Sequence, residues 1–253
     1  MTKNGLIFNY LLGLADDRLI LGQRLGEWCG HGPILEEDIA MTNIALDCFG
    51  QAKTLLELAA NYDEEKREAD GLAFLRDAAD FKNLQLVELP NTDFAYTMVR
   101  QFLIDSFTTL FYEQLKSSAL QELSDFAAKA IKEVTYHLRH SRNWLVTLGD
   151  GTDESHERTQ AALDYLWPYT DEFFKTNEIE TELIAQNIAV DTKSFKDKWL
   201  DNVKVAISEA TLKLPGNHLY ISAGGRNGNH TEHLGHILSD MQFLQRSYPG
   251  AQW

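Results

Sequence analysis

QELSDFAAKAIKEVTYHLRHSRNWLVTL, residues 121–148, is the stretch that decides the fold class of this chain. Apolar and small side chains recur in it at spacings of three and four residues, which places them on one face of an α-helix. That face contains Leu123, Ala127, Ala130, Val134, His137, Ser141, Leu145 and Leu148. At 100° per residue the basic side chains fall roughly opposite; they are Lys129, Lys132, Arg139 and Arg142. The stretch therefore predicts an amphipathic helix with a buried face and a solvated face.

The same period extends outward through most of the chain. Proline occurs only at positions 33, 90, 168, 215 and 249, and the intervening segments are rich in residues that favour helix. We predict long helices near 5–29, 36–61, 93–118, 121–148, 153–175, 191–212 and 231–247, with short ones near 71–79 and 177–186. Pro168 is expected to bend or end the helix that contains it. The fold class is therefore predicted to be all-α.

Length and composition limit the classes of protein. The 253 residues suffice for one large domain or two small ones; we expect a single domain, with the core near 5–175 and residues 176–253 packed on it. The formal net charge of −15 disfavours nucleic acid as a partner. The longest charge-free stretches are twelve residues, too short to cross a bilayer. Two cysteines, Cys29 and Cys48, favour a reduced, cytoplasmic protein.

The C-terminal part offers candidate interaction surfaces. Residues 213–230 are rich in Gly and Pro, which is typical of a mobile loop or a partner-binding arm. Helix 231–247 follows, with Thr231 or Asn229 as its predicted N-cap. Since Trp is enriched at interface hot spots, Trp253 is a candidate interface residue. The other candidates for the interface are His230, Glu232 and His233.

A helical bundle with polar residues on inner faces first suggests a carboxylate di-metal site. Such a site takes an acid from each of two helices and Glu-x-x-His from each of two others. No Glu-x-x-His lies on a predicted long helix; the nearest patterns are Glu133-x-x-x-His137 and the adjacent Glu232-His233. The residues therefore argue against a metal centre of this type.

Several segments resemble a known family. They are Gln23-Arg-Leu-Gly-Glu-Trp-Cys-Gly-His31, Leu46-Asp-Cys-Phe-Gly-Gln51, Lys129-Ala-Ile-Lys-Glu-Val-Thr-Tyr-His137-Leu-Arg and His230-Thr-Glu-His-Leu-Gly235. With the Gln-Trp C-terminus they closely resemble the C subunits of bacterial phenylacetyl-CoA 1,2-epoxidases, essentially end to end. The resemblance implies a ferritin-like helical bundle with additional helices.

The resemblance also implies a function. The family's complex uses O2 and NADPH to convert phenylacetyl-CoA to its ring 1,2-epoxide in aerobic phenylacetate degradation. The paralogous catalytic A subunit would hold the di-iron centre, and a separate reductase would carry flavin and iron–sulfur groups. This chain is expected to be the structural, non-catalytic partner of that catalytic protein and of other oxygenase subunits, with no cofactor of its own. Whether the isolated chain forms a homodimer is left open.

The resemblance to the catalytic paralogue implies that six positions of this chain correspond to its di-iron ligands, and we call them the vestigial di-iron positions. They are Arg18, Cys48, Gln51, Asp105, Val134 and His137. An arginine stays protonated near neutral pH and adds positive charge where two cations would sit. We therefore expect a metal-free centre in which Arg18 contacts Asp105, with Gln51 and His137 beside them.

Other interpretations remain open at this stage. His137 fits a hydrogen-bonded core histidine, and Cys48 fits a small core hydrophobe. The basic face of 121–148 fits either a solvated surface or a docking face for an acidic partner or coenzyme A phosphates. The rival function is a di-metal oxygenase with displaced ligands, drawn from Asp47, Asp105, Glu133, His137, Glu232 and His233. A third is a helical binding module unrelated to oxygenases.

Overall fold

A computed structural model describes residues 1–216 and 224–251; residues 217–223, Gln252 and Trp253 lie outside the described part. The described part contains ten α-helices and no strand. The helices are α1 (Lys3–Gly26), α2 (Leu35–Ala60), α3 (Ala69–Phe74), α4 (Gln85–Glu88), α5 (Phe94–Leu115), α6 (Gln121–Gly149), α7 (Asp153–Leu166), α8 (Glu178–Ala185), α9 (Lys196–Glu209) and α10 (Glu232–Ser247). The predicted all-α class is confirmed.

The helix boundaries follow local chemistry. Five helices begin at a residue whose side chain accepts a hydrogen bond from a first-turn N–H, which satisfies an otherwise unpaired donor; these residues are Thr2, Asp93, Thr152, Asn177 and Thr231. The last confirms the predicted cap of α10. Pro168 ends α7 two residues earlier, at Leu166, and the chain continues as a 3-10 helix over Trp167–Phe174.

Packing divides the chain into two compact units. The first unit comprises Met1–Pro90 with Gly224–Trp253, and the second comprises Asn91–Ala223. The final helix α10 thus belongs with the N-terminal residues, whereas 176–223 belongs with α5–α9. The expected split into a core of 5–175 and a packed 176–253 does not follow this division, and the single domain stays a prediction.

The first unit is organised around a helical hairpin. Helices α1 and α2 pack along each other, and α4 and α10 pack on α1. Almost every residue of α1 from Leu6 to Leu25 is buried, including the consecutive charged residues Asp16, Asp17 and Arg18. Buried charges need partners, so each of these three side chains is expected to form an ion pair or hydrogen bonds within the fold.

The second unit is built on another hairpin, α5 with α6, to which α7 and α9 add. Helix α5 is buried on nearly all sides. An aromatic cluster fills the contact with the segments that follow; it contains Phe107, Phe111, Phe173, Phe174, Phe195 and Trp199. The indole Nε1 of Trp199 donates to Ser106 Oγ at 2.9 Å, so its polar end is satisfied.

Helix α6 follows the predicted pattern closely. Its buried residues include seven of the eight on the predicted inner face, and Leu148 is half-buried. Lys129, Lys132 and Arg139 are exposed, while Arg142 is half-buried and pairs with Glu209.

Within the described ranges, no helix has the length and apolar character needed to cross a membrane.

Candidate functional site

Three of the vestigial positions lie in the second unit, and Asp105 is the polar centre of this group. Asp105 is fully buried on α5. Its Oδ1 accepts from Gln101 Nε2 at 2.9 Å, and its Oδ2 accepts from Ser141 Oγ at 2.8 Å. Gln101 lies one turn earlier on the same helix, and Ser141 lies on α6. Both carboxylate oxygens are therefore engaged by neutral donors of the same unit.

Val134 and His137 lie on the buried face of α6. The main chain around them is tied to α5, because Thr109 Oγ1 donates to the Asp105 carbonyl at 2.8 Å and lies 3.5 Å from the Val134 carbonyl. Ser141 Oγ also lies 3.0 Å from the carbonyl of His137. The side chain of Val134 has no donor atom for a metal, so the three positions of the second unit offer one carboxylate and one imidazole.

The other three vestigial positions lie in the first unit. Arg18 on α1 and Cys48 and Gln51 on α2 are all buried. The thiol of Cys48 is free of any disulfide. These three positions of the first unit thus carry a guanidinium, a thiol and an amide. The expected Arg18–Asp105 contact joins residues of different units and stays a prediction.

The six side chains do not fit a di-iron centre. Two divalent ions need several hard carboxylate ligands and an imidazole for each ion, whereas these positions supply one aspartate and one histidine alongside a permanent cation. Among the described residues, no three His, Cys, Asp or Glu side chains are grouped so that they could hold a metal ion. The displaced-ligand set is therefore not assembled in the described part of the chain.

A network of buried ion pairs that the sequence did not reveal lies in the first unit. Asp16 pairs with Arg76 and also accepts from the backbone N–H of Lys82 at 2.8 Å. Asp17 pairs with Arg226 through both oxygens, at 3.1 and 2.6 Å. The partners are separated by 60 and 209 positions in sequence, so no local pattern could have identified them.

Arg226 fixes the segment before α10. Besides Asp17, its Nη1 donates to the carbonyls of Gly13 and Lys82, each at 2.8 Å. Two residues later, Gly228 has a φ of +80°, and a Cβ there would clash with the carbonyl oxygen of Ala79. The described residues 224–230 are therefore held against their own unit, which contradicts a mobile loop there. A role of 213–230 in binding a partner stays a prediction, and 217–223 lie outside the described residues.

Glu88 on α4 anchors the next residues. It is fully buried, lies 2.9 Å from His230 Nδ1, and accepts from Asn83 Nδ2 at 3.0 Å and from the N–H of Thr231 at 2.5 Å. The other ring nitrogen of His230 lies 2.9 Å from the carbonyl oxygen of Phe81. Burial lowers the pKa of His230, but the hydrogen bonds with Glu88 and Phe81 outweigh it, so the pKa is raised above 6.5.

The candidate interface residues are placed differently from one another. The His230 side chain is 5% exposed and faces inward, so it offers little surface to a partner. Glu232 is exposed and His233 is partly exposed, and their role at an interface stays a prediction. Trp253 lies outside the described residues.

The chain is similar to known proteins over almost its whole length. The sequence profile described as "Phenylacetic acid catabolic protein" matches residues 2–253. The chain is also 48% identical, over 244 residues, to the C subunit of 1,2-phenylacetyl-CoA epoxidase of Escherichia coli (strain K12). That alignment covers 96% of this chain and 98% of the relative. The all-α chain described above therefore belongs to the phenylacetic acid catabolic protein family.

Proposed function

We propose that this chain is the structural, non-catalytic subunit of a heteromeric phenylacetyl-CoA epoxidase and supports a separate di-iron subunit. The observation that carries the proposal is the composition of the six vestigial positions. They supply one carboxylate, Asp105, which is engaged by Gln101 and Ser141. The near full-length similarity to the C subunit of such an epoxidase supports the same assignment.

In this role, hydrogen bonds and packing stabilise the helices where a metal would otherwise connect them. In the second unit Asp105, Gln101 and Ser141 tie α5 to α6. In the first unit the ion pairs of Asp16 and Asp17 hold the segments that flank α1. Such a chain presents a preformed surface to its partner and keeps its own ordering cost on binding small.

Helix α2 offers a surface suited to a partner protein. Leu35, Ile39 and Leu46 share one face of α2 and are 71%, 53% and 60% exposed. Single exposed apolar residues are common, but a row of three large aliphatic side chains along one helix is typical of an interaction surface. We therefore place the contact with another subunit on this face of α2.

Co-purification tests the assembly. The tagged chain is co-expressed with the catalytic di-iron subunit, and we expect a stable heteromer with iron only in that partner. An Ile39→Ser/Leu46→Ser variant should weaken the heteromer while keeping the helical circular dichroism of the parent. The matched control is Tyr165→Ser/Val205→Ser, which removes two exposed apolar side chains of the second unit.

The outcomes separate the alternatives. A monomer that ignores the catalytic subunit would favour an unrelated binding module. Stoichiometric iron in this chain alone, with epoxide formation, would favour an oxygenase with displaced ligands. If Tyr165→Ser/Val205→Ser weakened the heteromer as much as Ile39→Ser/Leu46→Ser, the contact would not be assigned to α2. A stable heteromer of the parent chain would still support the structural role.

A further inference from the structure

We propose that His230 and Glu88 form a proton-dependent clamp that holds the start of α10 on α4 only while His230 is protonated. The clamp consists of His230, Glu88 and the carbonyl of Phe81. It belongs entirely to the first unit and does not depend on the proposed function. Its effect is to make the anchoring of the C-terminal helix sensitive to pH.

The hydrogen-bond geometry favours a doubly protonated ring. Glu88 accepts a hydrogen bond on each of its oxygens, from Asn83 on Oε2 and from the N–H of Thr231 on Oε1, so its carboxylate faces His230 as an acceptor. The Phe81 carbonyl can only accept. Both ring nitrogens of His230 thus face acceptors, at 2.9 Å each. A neutral imidazole carries one N–H, so one nitrogen would direct its lone pair at an oxygen.

The site makes that mismatch costly. The side chains of His230 and Glu88 are 5% and 0% exposed, so water does not readily replace a lost partner. Thr231, the residue after His230, is the N-cap of α10 and donates its own N–H to Glu88. Loss of the proton from His230 would therefore weaken the packing of the first turn of α10 against α4.

The neighbouring charges favour the cation. The negative charge of Asp16 on α1 raises the pKa of His230, as the charge of Glu88 does, although Asp16 is paired with Arg76. Asp17 is paired with Arg226, and Arg24 donates to the carbonyl of Glu88 at 2.7 and 3.1 Å.

Three further ionisable groups lie close by. Lys82 directs its amine toward the backbone near Gly228, while Glu232 and His233 follow on α10 and are exposed or partly exposed. None of these three takes part in the hydrogen bonds of the clamp.

The sign of the pH effect follows from linkage. The pKa of His230 is raised in the folded chain above its ordinary value of 6.5. The clamp therefore stabilises the closed state fully below 6.5 and loses this contribution as pH rises through the raised pKa. Between these two values the opening equilibrium increases by up to about tenfold per pH unit, and above them it levels off.

Two measurements on the full-length chain test the clamp. Nitrogen NMR of the histidine rings should show both nitrogens of His230 protonated at pH 6.5 and below. Hydrogen exchange, corrected for intrinsic rates, should show protection in α10 falling as the pH rises above 6.5, at no more than about tenfold per pH unit. His230→Gln should abolish this pH dependence, and Glu88→Gln should lower the pKa of His230.

The matched control is His31→Gln, since His31 is exposed and its Nδ1 lies 3.1 Å from the backbone carbonyl oxygen of Cys29. That variant should retain the pH dependence of α10. A singly protonated His230 in the parent chain would overturn the proposal even if the variants fail to fold. Protection of α10 that is independent of pH, or a pH dependence that survives in His230→Gln, would overturn it as well.

Discussion

Ser141 donates from its Oγ to the Asp105 carboxylate over 2.8 Å, which joins α6 to α5 inside the second unit. Gln101 engages the other oxygen of the same carboxylate. Asp105 therefore has a role in stability that needs no metal.

Replacing Asp105 tests the hydrogen-bonded centre. Asp105→Ala removes the acceptor of Gln101 and Ser141 in a buried site, and we expect a loss on the order of 3 kcal/mol in the free energy of unfolding. Asp105→Asn keeps the shape and one acceptor oxygen and should cost clearly less. Urea denaturation midpoints measure both. An Asp105→Ala chain as stable as the parent would reject this role.

Replacing Arg226 tests the buried pair with Asp17. Arg226→Met keeps the aliphatic stem but leaves the buried Asp17 carboxylate without its cation, so we expect a loss of about 3–5 kcal/mol. The control is Arg158→Met, because Arg158 forms exposed ion pairs with Glu154 and Asp93 and should change little. Thermal unfolding of the two variants side by side provides the comparison, and equal effects would contradict the prediction.

Gly228 and Gly235 form a matched pair. Alanine at Gly228 meets a φ of +80° and the carbonyl of Ala79, so Gly228→Ala should destabilise by at least about 1–2 kcal/mol. Gly235 lies in α10, and a Cβ there meets nothing within 4 Å. Gly235→Ala should therefore stabilise by about 0.5–1 kcal/mol. Opposite signs in the denaturation midpoints are the expected result; the same sign would show that 224–230 is not packed as described.

The carboxyl of Asp63 is expected to titrate at an unusually low pH. The Arg67 side chain donates to both oxygens of Asp63, which lowers the pKa of that carboxyl. Burial raises the pKa, and hydrogen bonds from the backbone N–H groups of Arg67 and Glu65 lower it further. The net result is a pKa lowered from 3.8 to about 2. The stabilising contribution is present above pH 3.8 and is lost as pH falls through about 2.

Carbon NMR of the Asp63 carboxylate should give the titration directly. In Arg67→Gln the pKa of Asp63 should rise toward 3.8. A titration near 3.8 in the parent chain would contradict the prediction.

The sequence predicted the long helices because their apolar side chains recur with the helical period, as on α6. It missed α4, since the four residues Gln85–Glu88 are too few to show a period. It also placed His137 and Ser141 on the buried face of α6, but it did not identify Ser141 as the hydrogen-bond donor to Asp105. The pairs of Asp16, Asp17 and Glu88 depend on tertiary packing across 60 to 209 positions, which a local pattern does not contain.

The most direct test of the structural role is the epoxidation rate in a titration of this chain into a fixed amount of the iron-loaded catalytic partner, with reductase, NADPH and O2 present. We expect the rate to rise to a plateau at a fixed stoichiometric ratio. This chain, iron-treated and assayed without the catalytic partner, should form no epoxide. Epoxide formed by the iron-treated chain alone, or a rate unaffected by its addition, would contradict the account.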